Sequence, residues 1–184
     1  MAIAHENSIP THLDGVRLYI DAAFSGESIS NYTTLFDAVY LSLYKSFNTI
    51  SGAILAGDKT FINELHNERR MFGGGIPSSW PHILIANYFF DNYTQRYKKA
   101  IGQFNTFKTL LEKSGKYQIK ALKNVSNIFK MTLSTGVDPI AVSEKVAKHG
   151  IQFTQWNKAA RCFYIKMNDS LVYNDVEEIV KAFL

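Results

Sequence analysis

Two residues, Lys45 and Asp14, combine a reactive side chain with a position after a β-prone stretch. Residues 38–44 form an apolar run that ends at Lys45, and Asp14 follows the short extended stretch at residues 9–11. A lysine amine can form a Schiff base with a pyridoxal cofactor, and a carboxylate can keep the pyridine nitrogen protonated as an electron sink. The pair therefore predicts amino-acid chemistry on a pyridoxal cofactor.

The elements that would position these residues alternate between strand and helix in the first part of the chain. Such alternation predicts an α/β fold with a parallel sheet. The predicted elements are a strand at 10–13, a helix at 16–25 stopped by Gly26, strands at 38–43 and 51–56, and a helix at about 59–71. Asp58 would cap this last helix, whose inner face would carry Phe61, Ile62 and Leu65, and Gly73 to Gly75 would end it.

Apolar residues then recur at helical spacing from about residue 81 to 114, which predicts one long helix. Because long helices often bridge two domains, we place a boundary there, which gives domains at 1–98 and 99–184. The second domain is predicted to be a small α+β unit. Its elements would be strands at 117–122, 126–133, 151–154 and 161–167, a helix between Asp138 and Gly150, and a last helix from Asn174 with Glu177 in an approximate capping box.

Four segments of the first part stand in the order and spacing of a known enzyme family. They are residues 4–18 around Asp14, residues 41–45 ending at Lys45, the strand at 52–57, and residues 69–75 with two arginines and three glycines. Together they resemble the threonine aldolase/β-eliminating lyase family of fold-type I pyridoxal-phosphate enzymes, over about residues 1–115. The resemblance implies that residues 1–98 are the C-terminal part of a large domain with a mostly parallel sheet, followed by the small domain.

The same resemblance implies a role for each candidate residue, with pyridoxal 5′-phosphate as the cofactor and no metal. Lys45 would be the Schiff-base lysine, buried so that its amine can be neutral. Asp14 would pair with the ring nitrogen, and Arg17 would lie beside the cofactor. His12, two positions before Asp14, would point to the same sheet face by strand alternation, where it either contacts the ring or only fills the strand. Arg161 would bind the substrate carboxylate.

The implied reaction is Cα–Cβ cleavage of a β-hydroxy amino acid, and β-elimination or another amino-acid transformation is the alternative within the fold. A third hypothesis is a non-catalytic scaffold that folds, dimerises through its long helix and binds no cofactor. Ser46 follows the lysine where the family has glycine, and Pro77-Ser78 replace an arginine after the glycines. No Gly-Thr or Gly-Ser helix start for the cofactor phosphate is present, so we expect a fragment that lacks the N-terminal half of such a subunit.

The composition agrees with an ordinary globular protein, at 46% hydrophobic and 20% charged residues. The net charge of +4 is scattered, which argues against nucleic-acid binding. No apolar run reaches membrane-spanning length, and a single cysteine, Cys162, with no signal-peptide pattern predicts a cytoplasmic protein. The expected partners are an amino acid substrate and either a second copy or a chain that supplies the missing half.

Overall fold

The computed structural model describes residues 2–123 and 127–184, which form an α/β fold as the alternation of elements predicts. The chain divides into two units, residues 1–94 and 95–184. Their assignment to a large cofactor-binding domain and a small domain stays a prediction. No helix in the described ranges is both long and apolar enough to cross a membrane.

The first unit contains a three-stranded sheet and several helices. In chain order its elements are α1 (Ala2–Glu6), β1 (His12–Asp14), α2 (Leu18–Ser25), α3 (Ile29–Thr33), β2 (Ala38–Ser42), α4 (Leu43–Ser46), β3 (Ala53–Gly57), α5 (Lys59–Met71), α6 (Trp80–Phe90) and the start of α7 (Tyr93–Lys113). Two predicted helix ends are confirmed. Gly26 ends α2 in the left-handed conformation, and the Asp58 carboxylate accepts a hydrogen bond from the Thr60 amide at the start of α5.

The sheet has the order β1-β2-β3. Strands β1 and β2 are parallel, as predicted, whereas β3 is antiparallel to β2. The prediction of parallel strands is therefore wrong for the second pair. The reason is the short connection at residues 43–52, because a parallel crossover needs about a dozen residues or more.

Two helix predictions in the first unit need correction. The single helix expected over about 81–114 is two helices, α6 and α7, separated by Asp91 and Asn92. Side chains of this kind compete for local backbone hydrogen bonds and so favour helix ends. The expected inner face of α5 is only partly covered: Ile62 and Leu65 are half-buried, but Phe61 is exposed and no residue of this helix is fully buried.

The second unit pairs an antiparallel sheet, of order β4-β5-β7-β6, with helices. Its elements are the rest of α7, β4 (Tyr117–Ala121), β5 (Ile128–Leu133), α8 (Pro139–Lys148), β6 (Trp156–Asn157), β7 (Cys162–Lys166), a 3-10 helix (Asp169–Tyr173) and α9 (Val176–Phe183). The cap at Asp138 with Pro139 in the first helical position is confirmed. Ser126, where one predicted strand begins, lies outside the described residues.

Two predicted boundaries in this unit are wrong. Residues 151–154 form no strand, and the short strand β6 follows them instead. The last helix begins after Asp175, whose carboxylate accepts hydrogen bonds from the amides of Glu177 and Glu178, while Asn174 ends the 3-10 helix. Adjacent Asn and Asp residues are similar capping candidates, so the sequence alone does not distinguish them.

The core of the second unit lies between its sheet and its helices. Its fully buried side chains include Leu111, Ile119, Met131 and Phe163. Tyr117 connects the first strand of this sheet to the last helix, because its hydroxyl donates to the Phe183 carbonyl at 2.7 Å.

Replacing Tyr117 by Phe removes this one buried hydrogen bond and leaves the ring in place. We expect the free energy of unfolding to fall by about 1–3 kcal/mol, because the Phe183 carbonyl would remain buried without its donor. Chemical denaturation of both proteins measures the difference. Tyr173→Phe is the matched control, since Tyr173 is exposed and its loss should change stability by less than about 0.5 kcal/mol. Equal values for the two variants would contradict the prediction.

Candidate functional site

The parallel strands β1 and β2 bring the two main candidate residues to one edge of the sheet. Asp14 is the last residue of β1 and lies opposite Tyr40 in register, and Lys45 lies in α4, directly after β2. Because the strands run in the same direction, their carboxyl ends lie at the same edge. In open α/β sheets ligands bind in the crevice outside this edge.

At their other ends, the two strands are fixed by Asp37 and Thr11. The Asp37 carboxylate accepts hydrogen bonds from both the backbone N–H and the hydroxyl of Thr11, each at 2.7 Å. The hydrogen bond from the Thr11 side chain, followed by that from its backbone, lowers the pKa of Asp37. This contact sets the register that places Asp14 beside β2.

Gly15, the residue after Asp14, is required by a close backbone approach. Its N–H donates to the Tyr40 carbonyl at 2.8 Å, and a Cβ at this position would lie only 2.7 Å from that oxygen. A larger residue would therefore push β1 away from β2. The Asp-Gly pair is thus part of the strand contact, and the glycine keeps the candidate carboxylate close to the neighbouring strand.

The candidate side chains at this edge are exposed. His12 and Asp14 lie on the same face of β1, with Leu13 on the other, and Arg17 precedes the first residue of α2. The expected burial of Lys45 is wrong: the strand ends at Ser42, and the helical turn that follows leaves the Lys45 side chain in solvent.

Arg161, the candidate for the substrate carboxylate, belongs to the second unit. It lies just before β7, in the turn after β6, and its side chain is exposed. Its φ of 48° is a left-handed conformation that is uncommon for residues other than glycine. Within the described residues no group of His, Cys, Asp and Glu side chains is arranged to bind a metal ion.

A cluster of aromatic rings connects the segment after Lys45 to the helix after Asp14. Phe47 is 1% exposed, and its ring centroid lies 4.9 Å from that of Tyr19 on α2 in an edge-to-face arrangement. Phe90 lies 5.6 Å from Phe47, and Tyr93 lies 4.6 Å from Tyr19. Burial in this cluster, with a smaller contribution from Tyr93, raises the pKa of Tyr19. The cluster therefore holds both candidate segments on one rigid support.

Hydrogen bonds hold the loop between α4 and β3. The Leu43 N–H donates to the Gly52 carbonyl at 3.1 Å, and the Thr49 hydroxyl donates to the Ser51 carbonyl at 2.8 Å. The Ser51 hydroxyl lies 3.1 Å from Nε2 of His82 on α6.

Several of these residues were not predicted from the sequence. Ser42, at the end of β2, is fully buried, and its hydroxyl has no hydrogen-bond partner among the described residues. A polar residue inside the apolar run 38–44 is the signal that could have identified it. Phe47 and His82 carry no such signal, because their roles depend on contacts with residues distant in sequence.

Comparison with known proteins supports the family resemblance. The beta-eliminating lyase family profile matches residues 1–152. The low-specificity L-threonine aldolase of Candida albicans is 35% identical over 105 residues, which cover 54% of this chain and 28% of that protein. These matches confirm the similarity to the threonine aldolase/β-eliminating lyase family.

Solved structures of similar fold also include threonine aldolases. A Listeria monocytogenes protein to which L-allo-threonine aldolase activity is attributed has a TM-score of 0.75 at 31% identity, covering 99% of this chain and 53% of that one. Leishmania major threonine aldolase has a TM-score of 0.68 at 15% identity, with 99% and 52% covered, a likeness of fold alone. The chain thus spans about half the length of these solved relatives.

Truncating Phe47 to Ala would remove the ring that joins the two candidate segments. We expect the free energy of unfolding of the first unit to fall by about 3–5 kcal/mol, the usual cost of deleting a buried phenyl group. Denaturant titration measures this change. Phe72→Ala is the control, because Phe72 is 85% exposed and should tolerate the change. If both variants lost the same stability, the aromatic cluster would not be the support inferred above.

Proposed function

Because the chain belongs to the beta-eliminating lyase family, we propose that it carries two functional residues of a pyridoxal-phosphate-dependent lyase. They are the lysine that bonds to the cofactor and the carboxylate that keeps the ring nitrogen of the cofactor protonated. The observation that carries the proposal is the placement of Asp14 at the carboxyl end of β1 and of Lys45 just after the carboxyl end of its parallel neighbour β2, inside the residues that match the family. The proposed reaction is Cα–Cβ cleavage of a β-hydroxy amino acid, the class of substrate to which threonine and allo-threonine belong.

The residues at this edge fit pyridoxal phosphate, which the family implies as its cofactor. They offer the Lys45 amine for the aldehyde, the Asp14 carboxylate for the ring nitrogen and the Arg17 guanidinium for an anionic oxygen. Ser42 adds a buried hydroxyl without a partner among the described residues. When bound, the cofactor supplies an electron-poor ring that accepts the electron pair released at the α-carbon of an amino acid.

The chain's own residues would bind and orient the reactants. The negative charge of Asp14 would keep a proton on the ring nitrogen, and His12, on the same face of β1, would lie against the ring. The exposed Lys45 amine is accessible to an aldehyde from solvent. Arg161 would bind the substrate carboxylate through its guanidinium group.

The exposed strand β3 of the first unit supports the proposed association with another chain. Strand β3 lies at one edge of the sheet and is exposed on both faces, with Ile54 at 45% and Leu55 at 39% exposure. An antiparallel strand with apolar residues normally packs at least one face on a core, and an edge strand offers unpaired backbone N–H and C=O groups. We propose that this surface binds a second copy or a chain that supplies further strands.

Reductive labelling tests the proposed role of Lys45. The full chain is incubated with pyridoxal phosphate and then reduced with borohydride, and labelled lysines are identified by peptide mass spectrometry. We expect Lys45 to be labelled at least about tenfold more than Lys59, because specific contacts of about 1.4 kcal/mol would favour binding at that edge. Lys59, exposed at the start of α5, is the internal control.

Two variants complete this experiment. Lys45→Ala should remove most of the visible absorbance that borohydride bleaches and leave the weaker labelling of Lys59 unchanged, and Asp14→Asn should reduce the labelling preference for Lys45. Uniform labelling of lysines in the unmodified chain would instead support a non-catalytic scaffold that binds no cofactor on its own.

A further inference from the structure

We infer that His82 is a positioning residue, which holds the Lys45 segment in place through Ser51. The inference rests on the proposed role of Lys45 but concerns a helix, α6, outside the sheet edge itself. Neither His82 nor Ser51 has a role in the proposed function, and the two residues are distant in sequence.

The connection from His82 to Lys45 runs through two hydrogen bonds and two short stretches of backbone. Nε2 of His82 lies 3.1 Å from the Ser51 hydroxyl, and Gly52, the next residue, accepts a hydrogen bond from the Leu43 N–H at 3.1 Å. Leu43 is the first residue of α4, and Lys45 lies two residues further along the same helical turn. A shift of Ser51 would therefore move the backbone contact at the start of the turn that carries Lys45.

The loop around Ser51 has little packing to replace this hydrogen bond. Ile50 is 89% exposed although its side chain is apolar, and Asn48 and Ser51 are exposed as well. Asn48 has a φ of 55°, a left-handed turn conformation that asparagine adopts more readily than most residues. Thr49 is buried but its hydroxyl bonds within the loop, to the Ser51 carbonyl. The His82 contact thus joins the exposed end of the loop to a helix.

The burial of the second ring nitrogen indicates which way this hydrogen bond runs. Nδ1 of His82 is buried and has no partner among the described residues. An N–H at Nδ1 would be an unpaired buried donor, which proteins rarely contain, so we place the proton on Nε2. Nε2–H then donates to the Ser51 hydroxyl oxygen from its position on α6.

Hydrogen–deuterium exchange of the full chain tests this connection without any cofactor. In His82→Ala and Ser51→Ala we expect the Leu43 amide to exchange about five- to tenfold faster, the range expected for losing one hydrogen bond. His82→Gln should retain the slow exchange, because its amide nitrogen can take the place of Nε2, whereas the shorter His82→Asn should not. Leu84→Ala, at an exposed position of α6, is the matched control and should exchange like the unmodified chain.

Reductive labelling then connects the contact to Lys45. His82→Ala should lower the preference for Lys45 over Lys59 at least threefold, and His82→Gln should restore it. The inference would be overturned if the Leu43 amide of His82→Ala exchanged at the same rate as in the unmodified chain. It would also be overturned if this amide exchanged faster but the labelling preference for Lys45 over Lys59 did not change. Uniform labelling in the unmodified chain, with accelerated exchange in His82→Ala, would defeat the proposed function of Lys45 and retain only the structural contact.

Discussion

The parallel pairing of β1 with β2 is the interaction on which the candidate site depends. It is fixed at one end by the Asp37 carboxylate on Thr11 and at the other by the Gly15 N–H on the Tyr40 carbonyl. A slip of one residue would turn Asp14 and His12 to the opposite face of the sheet. The positions of the charged residues therefore follow from backbone contacts rather than from contacts between their own side chains.

A second constraint acts through the side chains behind the edge. The segments that follow β1 and β2 each contribute an aromatic ring to the same cluster. These rings belong to Tyr19 on α2 and to Phe47 just after α4. Because aromatic rings of this size have few alternative packings, the two segments keep a fixed relation while their polar residues stay in solvent. Such an arrangement is common in enzymes, where reactive residues lie on exposed segments that a packed scaffold holds in position.

The elements whose ends carry strong local signals were predictable from the sequence. Asp58, Asp138 and Gly26 each act through hydrogen bonds or backbone conformation within a few residues, so their predictions are confirmed. The predicted element boundaries were wrong where the pattern of apolar residues continues past the end of a helix or strand. The periodicity of apolar residues continues through Asp91 and Asn92, which hid the end of α6, and the apolar run at 38–44 hid the change from strand to helix after Ser42.

The exposure of Asp14 and Lys45 limits how strongly either charged group can act on a ligand. In water a carboxylate and a cation a few ångströms apart interact by only about 1 kcal/mol, whereas the same pair in a partly excluded site interacts by about 4 kcal/mol. The role proposed for Asp14, keeping a ring nitrogen protonated, would therefore be stronger where solvent is excluded from this carboxylate. Covering β3 would not exclude it, because β1 and β3 form opposite edges of the three-stranded sheet, so a group that covers Asp14 must approach from the β1 side.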